Sequence, residues 1–267
     1  MGTNKSKETQ SNVKDILKQG IPHLKSSLIR TDSLYFSTSD NLDNLTFAEL
    51  KFKHYLTFPN LYEGLKLWEG AVLLLRHILT TNNKLAYENK KIMDLGAGMG
   101  IIGITLAKML NCKVTMTDYI PEVLDLCREN TSLNTYNENS IPVTEHLDWN
   151  DYENSPIVKQ GIKFDIIIGC ELVYTITHCD NLVKLIKLLL KPQGMLVMII
   201  PTVRNNRENF MVKMEELGEF EIFECIMDKP AYKMNPLVKK MEDDDPNDDI
   251  FFPLKTIEFR YLEIKFK

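Results

Sequence analysis

The spacing of hydrophobic and polar positions changes period several times along the chain, and each change marks an element. Residues 1–45 are polar apart from one weak helical patch at Val13, Ile16 and Leu17, and read as an N-terminal arm that is disordered or docked on the surface. Between 46 and 67 the aromatic residues Phe47, Phe52, Tyr55, Phe58 and Tyr62, punctuated by Pro59 and Gly64, predict a strand pair. Apolar residues at 68, 71, 72, 75, 78 and 79 then carry a helical period. After that, strand and helix signals alternate. Strands are predicted over 91–95, 113–117, 141–146, 164–168, 195–200 and 220–227, and helices over 101–110, 121–133, 181–190 and 208–217. Pro121 suits a first helical turn. Lys191, Pro192 and Gly194 close the third helix, and Gly218 caps the fourth.

Near the end, Ile257, Phe259 and Tyr261 alternate with charged residues, and Leu262, Ile264 and Phe266 do so on a shifted register, which predicts a long, bulged last strand. Alternating strands and helices imply an α/β domain over 46–267, its parallel sheet covered by helices on both faces. The last two strands have no helix between them and read as an antiparallel hairpin edge enclosing an acidic loop, 229–253.

Composition narrows the class. Of 267 residues, 44% are hydrophobic, 26% charged and 9% aromatic, which excludes a disordered or low-complexity chain. No run approaches the ~18 apolar residues of a membrane helix, and the first 20 residues hold no apolar leader segment, so neither stable membrane insertion nor secretion is expected. The net charge of −5 includes six acids within 241–249; the rest of the chain stands at +1, without the basic footprint of a nucleic-acid binder. Five cysteines, none in a C-x-x-C pair, suit free thiols in a reducing compartment, and hence a cytoplasmic protein. Met1-Gly2-Thr-Asn-Lys-Ser6 fits the pattern for myristoylation of Gly2, a weak anchor that would make the protein peripheral to a membrane.

The strongest local signal is Ile92-Met-Asp-Leu-Gly-Ala-Gly-Met-Gly-Ile-Ile-Gly103, a glycine loop between a strand and a helix. Gly96, Ala97 and Gly98 let backbone approach a ligand closely. Asp118 ends the next strand 22 residues after Gly96, where a carboxylate accepts hydrogen bonds from ribose hydroxyls. A dinucleotide and S-adenosylmethionine both suit that arrangement. The dinucleotide pattern wants its third glycine where Ile101 stands, and Asp94 would repel a pyrophosphate. The α-ammonium of S-adenosylmethionine would instead be attracted, which favours that cofactor.

These residues, with Leu67-Trp-Glu-Gly-Ala before the first strand, Thr117-Asp-Tyr, Leu147-Asp-Trp and Glu171-Leu-Val-Tyr174, give the chain a resemblance to the class I, seven-strand methyltransferases. Within them it resembles the protein-lysine methyltransferase group. The likeness spans roughly 60–225. It implies a Rossmann-like seven-stranded, mostly parallel sheet with an antiparallel C-terminal strand, S-adenosylmethionine as cofactor, and a protein substrate such as a translation factor or chaperone. It also implies that Trp68 lies near the methionine end of the cofactor, Trp149 near the adenine, and Cys170 against the cofactor. Tyr62-Glu-Gly-Leu-Lys-Leu-Trp-Glu also looks like the entry segment of protein-histidine methyltransferases, which keeps histidine as an alternative acceptor.

Glu171 and Tyr174 follow a predicted strand at its carboxyl end, where ligands sit in parallel sheets. Glu171 is expected to orient the incoming ammonium and Tyr174 to supply an aromatic wall and a polar handle; the bland alternative is that Tyr174 packs and Glu171 caps the next helix. Arg204 and Arg207 read as solvated charges at a helix entry, or more sharply as contacts for an acidic partner. A nucleic-acid methyltransferase would want an Asn- or Asp-Pro-Pro-Tyr element where Glu-Leu-Val-Tyr stands. A dinucleotide oxidoreductase and a non-catalytic cofactor-binding module complete the alternatives. The acidic run 241–249 reads as a solvated loop, or more sharply as an attractor of lysine-rich partners.

Overall fold

The computed structural model describes residues 29–36, 48–55, 63–79, 81–227, 238–239 and 257–267. Gly2, Tyr62 and the acidic run 241–249 lie outside the described residues, as does most of the expected arm.

Seven strands form the main sheet. They are β3 (Lys91–Leu95), β4 (Lys113–Asp118), β5 (Val143–His146), β6 (Phe164–Cys170), β7 (Leu190–Pro201), β8 (Phe220–Ile226) and β10 (Phe259–Phe266). Across the sheet they stand in the order β5-β4-β3-β6-β7-β10-β8. β3 to β7 pair in parallel, and β10 runs antiparallel to both β7 and β8. Helices α1 (Glu69–Ile78), α2 (Ile101–Leu110) and α3 (Pro121–Ser132) are joined by α4 (Cys179–Leu189) and α5 (Arg207–Glu216). Two cores result, one on each face of the sheet. Val72, Leu73, Leu74 and Leu75 of α1, Ile104 of α2 and Val123 of α3 fill the first; Leu182, Leu185 and Ile186 of α4 and Phe210 of α5 fill the second. The apolar run Ile166 to Ile168 is what a strand buried on both faces requires.

Three expectations change. The strand pair forms, but between β2 (Ala48–Tyr55) and β1 (Ile29–Phe36), inside the stretch read as an arm; β9 (Val238–Lys239) adds a third strand. β1 escapes a hydropathy reading because its cross-strand partners are polar. Asp32 pairs with buried His54 at 2.8 Å, and the Ser33 hydroxyl donates to Glu49 at 2.8 Å, while Leu34 faces the core. The second change concerns β10, whose pairing is regular on both sides, with no bulge. Its apparent shift of register arises because Phe259 and Tyr261 face one core while Leu262 and Ile264 face the other. It is also internal: the edge of the sheet is β8. The irregularity sits instead between β6 and β7, where Phe164 pairs with Leu190 and Ile166 with Met195. Third, Lys191, Pro192 and Gly194 are therefore part of β7 and do not close the preceding helix; they are the extra residues of its bulge.

The β1–β2 hairpin is fastened to α3 by two asparagines one turn apart. Asn130 accepts the Lys53 N–H at 2.6 Å and donates to the Lys53 carbonyl at 3.1 Å; Asn134 treats Lys51 likewise at 3.1 and 2.8 Å. The same Asn130 amide donates to the Met99 carbonyl of the glycine loop at 3.0 Å. The side chains replace a missing strand and tie the hairpin to that loop.

Candidate functional site

The carboxyl ends of β3, β4, β6 and β7 open into one cleft of about 500 Å³. The glycine loop forms its floor. Gly96, Gly98 and Gly100 take φ of +66°, +54° and +87°, which any side chain resists. A Cβ on Gly96 would lie 2.8 Å from Leu172 and 3.4 Å from the Trp149 ring, so only glycine fits between strand and indole.

Three of the loop's amides are taken up within the fold. Ala97 N–H donates to the Thr117 carbonyl at 2.8 Å, Gly98 N–H to Asp118 Oδ2 at 3.2 Å, and Gly100 N–H to the Ala97 carbonyl at 2.9 Å. Gly103 N–H donates to Asp94 Oδ2 at 2.9 Å. A pyrophosphate needs free N–H groups and no nearby anion. Here the Ala97, Gly98 and Gly100 amides are engaged within the fold and two carboxylates stand at the loop. Asp94 is almost wholly buried, which pushes its pKa up to about 7 against the Gly103 hydrogen bond. Burial also raises the pKa of Asp118, opposed by the N–H groups of Ile120 and Gly98. Acceptors of this kind suit the ammonium and ribose hydroxyls of S-adenosylmethionine. The donor set fits that cofactor and disfavours a dinucleotide.

At the other end, Glu171 begins the turn after β6 in the left-handed region, with φ of +55°. Its Oε1 accepts the Gly70 N–H near the start of α1 at 3.1 Å, and its Oε2 accepts from Arg204 at 3.1 Å. A Cβ on Gly70 would lie 2.7 Å from Glu171 Oε1, so any larger residue there has to move that carboxylate. Burial pushes the Glu171 pKa up to about 7; the Gly70 N–H and Arg204 oppose the rise, Glu69 adds to it and Lys66 opposes it. Tyr174 is half-exposed. Its ring lies 6.4 Å from Trp149 and edge-on to His178 at 5.8 Å, and Trp149 meets His178 edge-on at 5.8 Å. The Lys66 ammonium sits 3.8 Å above the centre of the Trp68 ring, at the N-cap of α1. Cys170 is a thiol held well above its usual pKa by burial first and Glu171 second, as a small hydrophobe would be.

Trp68, Asp94, Gly96, Ala97, Gly98, Asp118, Trp149, Cys170, Glu171 and Tyr174 all line this cleft. Glu171 does cap a helix, but α1, and not the helix that follows it. Arg204 departs from its expectation: its side chain is 22% exposed, lines the cleft and pairs with Glu171. Arg207 bonds Glu224 at 2.5 Å. Lys66 and Gly70 lie in segments that carried the family resemblance and Arg204 was singled out as a charge, but their pairing with Trp68 and Glu171 had no sequence signal, because packing and not spacing sets it.

A seven-stranded sheet whose seventh strand is inserted antiparallel, with a cleft at the parallel strands' carboxyl ends, defines a class I methyltransferase. A 16S rRNA methyltransferase of T. thermophilus, solved with AdoMet and guanosine, shares the fold at a TM-score of 0.52 and 15% identity, covering 90% of this chain and 51% of that one. The profile of the lysine methyltransferase family matches residues 58–217, more than half of the chain, and the protein belongs to that family. It is 29% identical over 189 residues to EEF1A lysine methyltransferase 3 of Xenopus tropicalis, covering 70% of this chain and 74% of the relative. It is 28% identical over 208 residues to protein-lysine N-methyltransferase EFM2 of Saccharomyces cerevisiae, covering 71% of this chain and 48% of the relative. The chain thus spans about three quarters of the first relative and about half of the second. A histidine protein methyltransferase 1 homolog of Rattus norvegicus matches over a shorter stretch, 40% of this chain. The cofactor is S-adenosylmethionine. No helix among the described residues is long and apolar enough to cross a membrane.

Proposed function

We propose that the protein methylates the ε-amine of a lysine in a protein substrate, with a cytoplasmic translation elongation factor as the first candidate. What carries the reading is the buried Glu171 beside Tyr174 and Trp68, in the cleft that also holds the glycine loop and Asp118. The names of the relatives that cover most of this chain support lysine over histidine and a protein over a nucleic acid.

In this reading Asp118 holds the ribose hydroxyls, Trp149 flanks the adenine, and Asp94 and the 96–98 loop face the amino-acid portion. Trp68 and Cys170 close the methionine end. When bound, the cofactor supplies a methyl group on a positively charged sulfur. The chain's own groups do the rest. Lysine has a reference pKa of ~10.4 and must shed its proton before its lone pair is available. A partly desolvated cleft lowers that pKa. Glu171 then accepts an N–H of the amine and aims the lone pair, while the Tyr174 ring bounds the site and its hydroxyl supplies a polar handle for the amine, the group that Tyr174→Phe removes.

Methyl incorporation from labelled cofactor into purified elongation factor, and into a cell extract, tests this. Glu171→Ala and Tyr174→Phe should each lower incorporation by about tenfold or more while S-adenosylhomocysteine still binds. Wild-type rates in both variants would remove these roles; label on histidine alone would overturn the lysine assignment.

A further inference from the structure

Glu171 and Arg204 form the most buried ion pair in the cleft, and the reaction as outlined gives Arg204 nothing to do. The pair joins the turn after β6 to the segment after β7 at 3.1 Å, with Glu171 6% and Arg204 22% exposed at the side chain. The other Glu171 oxygen is fixed by α1 through Gly70. The left-handed backbone at Glu171 is therefore held from two sides. The Arg204 Nε is a buried donor with no hydrogen-bond partner among the described residues. The charged groups around the carboxylate are Arg204, Lys66 from the segment before α1, and Glu69 on α1; the Cys170 thiol adjoins it.

We propose that Arg204 is a positioning residue for methyl transfer: it fixes the Glu171 carboxylate at the acceptor end of the cleft and cancels its charge, so that the target lysine enters as the neutral amine. The inference rests on the lysine methyltransferase reading. A buried carboxylate without a partner would bind an ammonium tightly and preserve the form that has no lone pair. Paired with a guanidinium, it keeps its acceptor capacity for an N–H but exerts little net pull on a cation. Two carboxylates and two cations gather there, Glu69 and Glu171 with Lys66 and Arg204, so an arriving ammonium meets no surplus negative charge. The lysine releases its proton to water on entry. Its nitrogen pair then forms the N–C bond as the C–S bond breaks, the electrons of that bond stay on sulfur, and the positive charge passes from sulfur to the methylated nitrogen.

The test compares kcat, at saturating protein acceptor, against pH in wild type, Arg204→Gln and Arg204→Lys, because kcat reports ionisations in the bound complex. Removing the cation should move the acidic limb of the Gln variant up by about one pH unit, costing about tenfold near pH 7, with recovery at higher pH. Lys should restore the limb, because charge and not fork geometry sets it. Equal losses at every pH in both variants would show a merely structural role and overturn the proposal. A second readout needs neither acceptor nor cofactor. In protein with 13C-labelled glutamate, the Glu171 carboxyl signal, assigned with Glu171→Gln, should titrate at higher pH in Arg204→Gln than in wild type. An unmoved midpoint overturns the proposal. Absence of label on any lysine in wild type would instead refute the functional reading and leave the titration result standing.

Discussion

Replacing Asn130 by alanine tests how the hairpin is held to the catalytic domain. The side chain is fully buried and closes three hydrogen bonds: from Lys53 N–H at 2.6 Å, to the Lys53 carbonyl at 3.1 Å and to the Met99 carbonyl at 3.0 Å. Each bond contributes about 1 kcal/mol net, and a buried carbonyl left unpaired adds about 1–3 kcal/mol. Met99 is itself buried, so its carbonyl bears that cost, whereas the Lys53 groups are partly reached by water. The loss should come to about 4 kcal/mol, or roughly 10 °C in Tm for a domain of this size. Asn130→Asp should cost at least as much, because it turns a carboxylate on two carbonyls. Asn134→Ala removes the analogous bonds to Lys51 in an exposed setting and should cost about 1 kcal/mol or less. Urea unfolding with a constant m-value measures all three. If Asn130→Ala stays within about 1 kcal/mol of wild type, or Asn134→Ala matches it, the clamp is not what holds the hairpin.

Other outcomes follow from the same geometry. Gly70→Ala should fold yet lose most activity, because the added Cβ 2.7 Å from Glu171 Oε1 must displace that carboxylate; a fully active variant, with circular dichroism unchanged, would refute the tight fit. Asp94 keeps its proton up to about pH 7 in the folded protein but releases it near pH 4 when unfolded. The folded state therefore binds more protons between those values, and the stability of ligand-free protein should fall as pH rises through the window. Asp94→Asn should flatten that slope; an equal slope in thermal melts from pH 5 to about pH 8 would contradict it.

The sheet was legible because its central parallel strands are buried on both faces and read as apolar runs, as at Ile166 to Ile168. The glycine loop and the Glu171–Tyr174 element were legible because one continuous stretch of chain makes each. What stayed hidden depends on partners distant in sequence. β1 reads as polar because Asp32 and Ser33 find their partners on β2. Arg204 reads as a surface charge until β6 and β7 lie side by side and bring Glu171 to it. The two faces of β10 mimic a bulge, since alternation alone cannot tell a slipped register from a strand with two cores.

β10 lies between β7 and β8 yet follows both in the chain. On the ribosome, β7 and β8 emerge with their facing backbone groups unsatisfied, and a gap between them waits for a strand not yet made. Leu262 and Ile264, fully buried in the finished fold, have to close it. Nascent chains arrested before this strand should be the ones that chaperones hold, and a mutation in β10 should act on yield before it acts on catalysis.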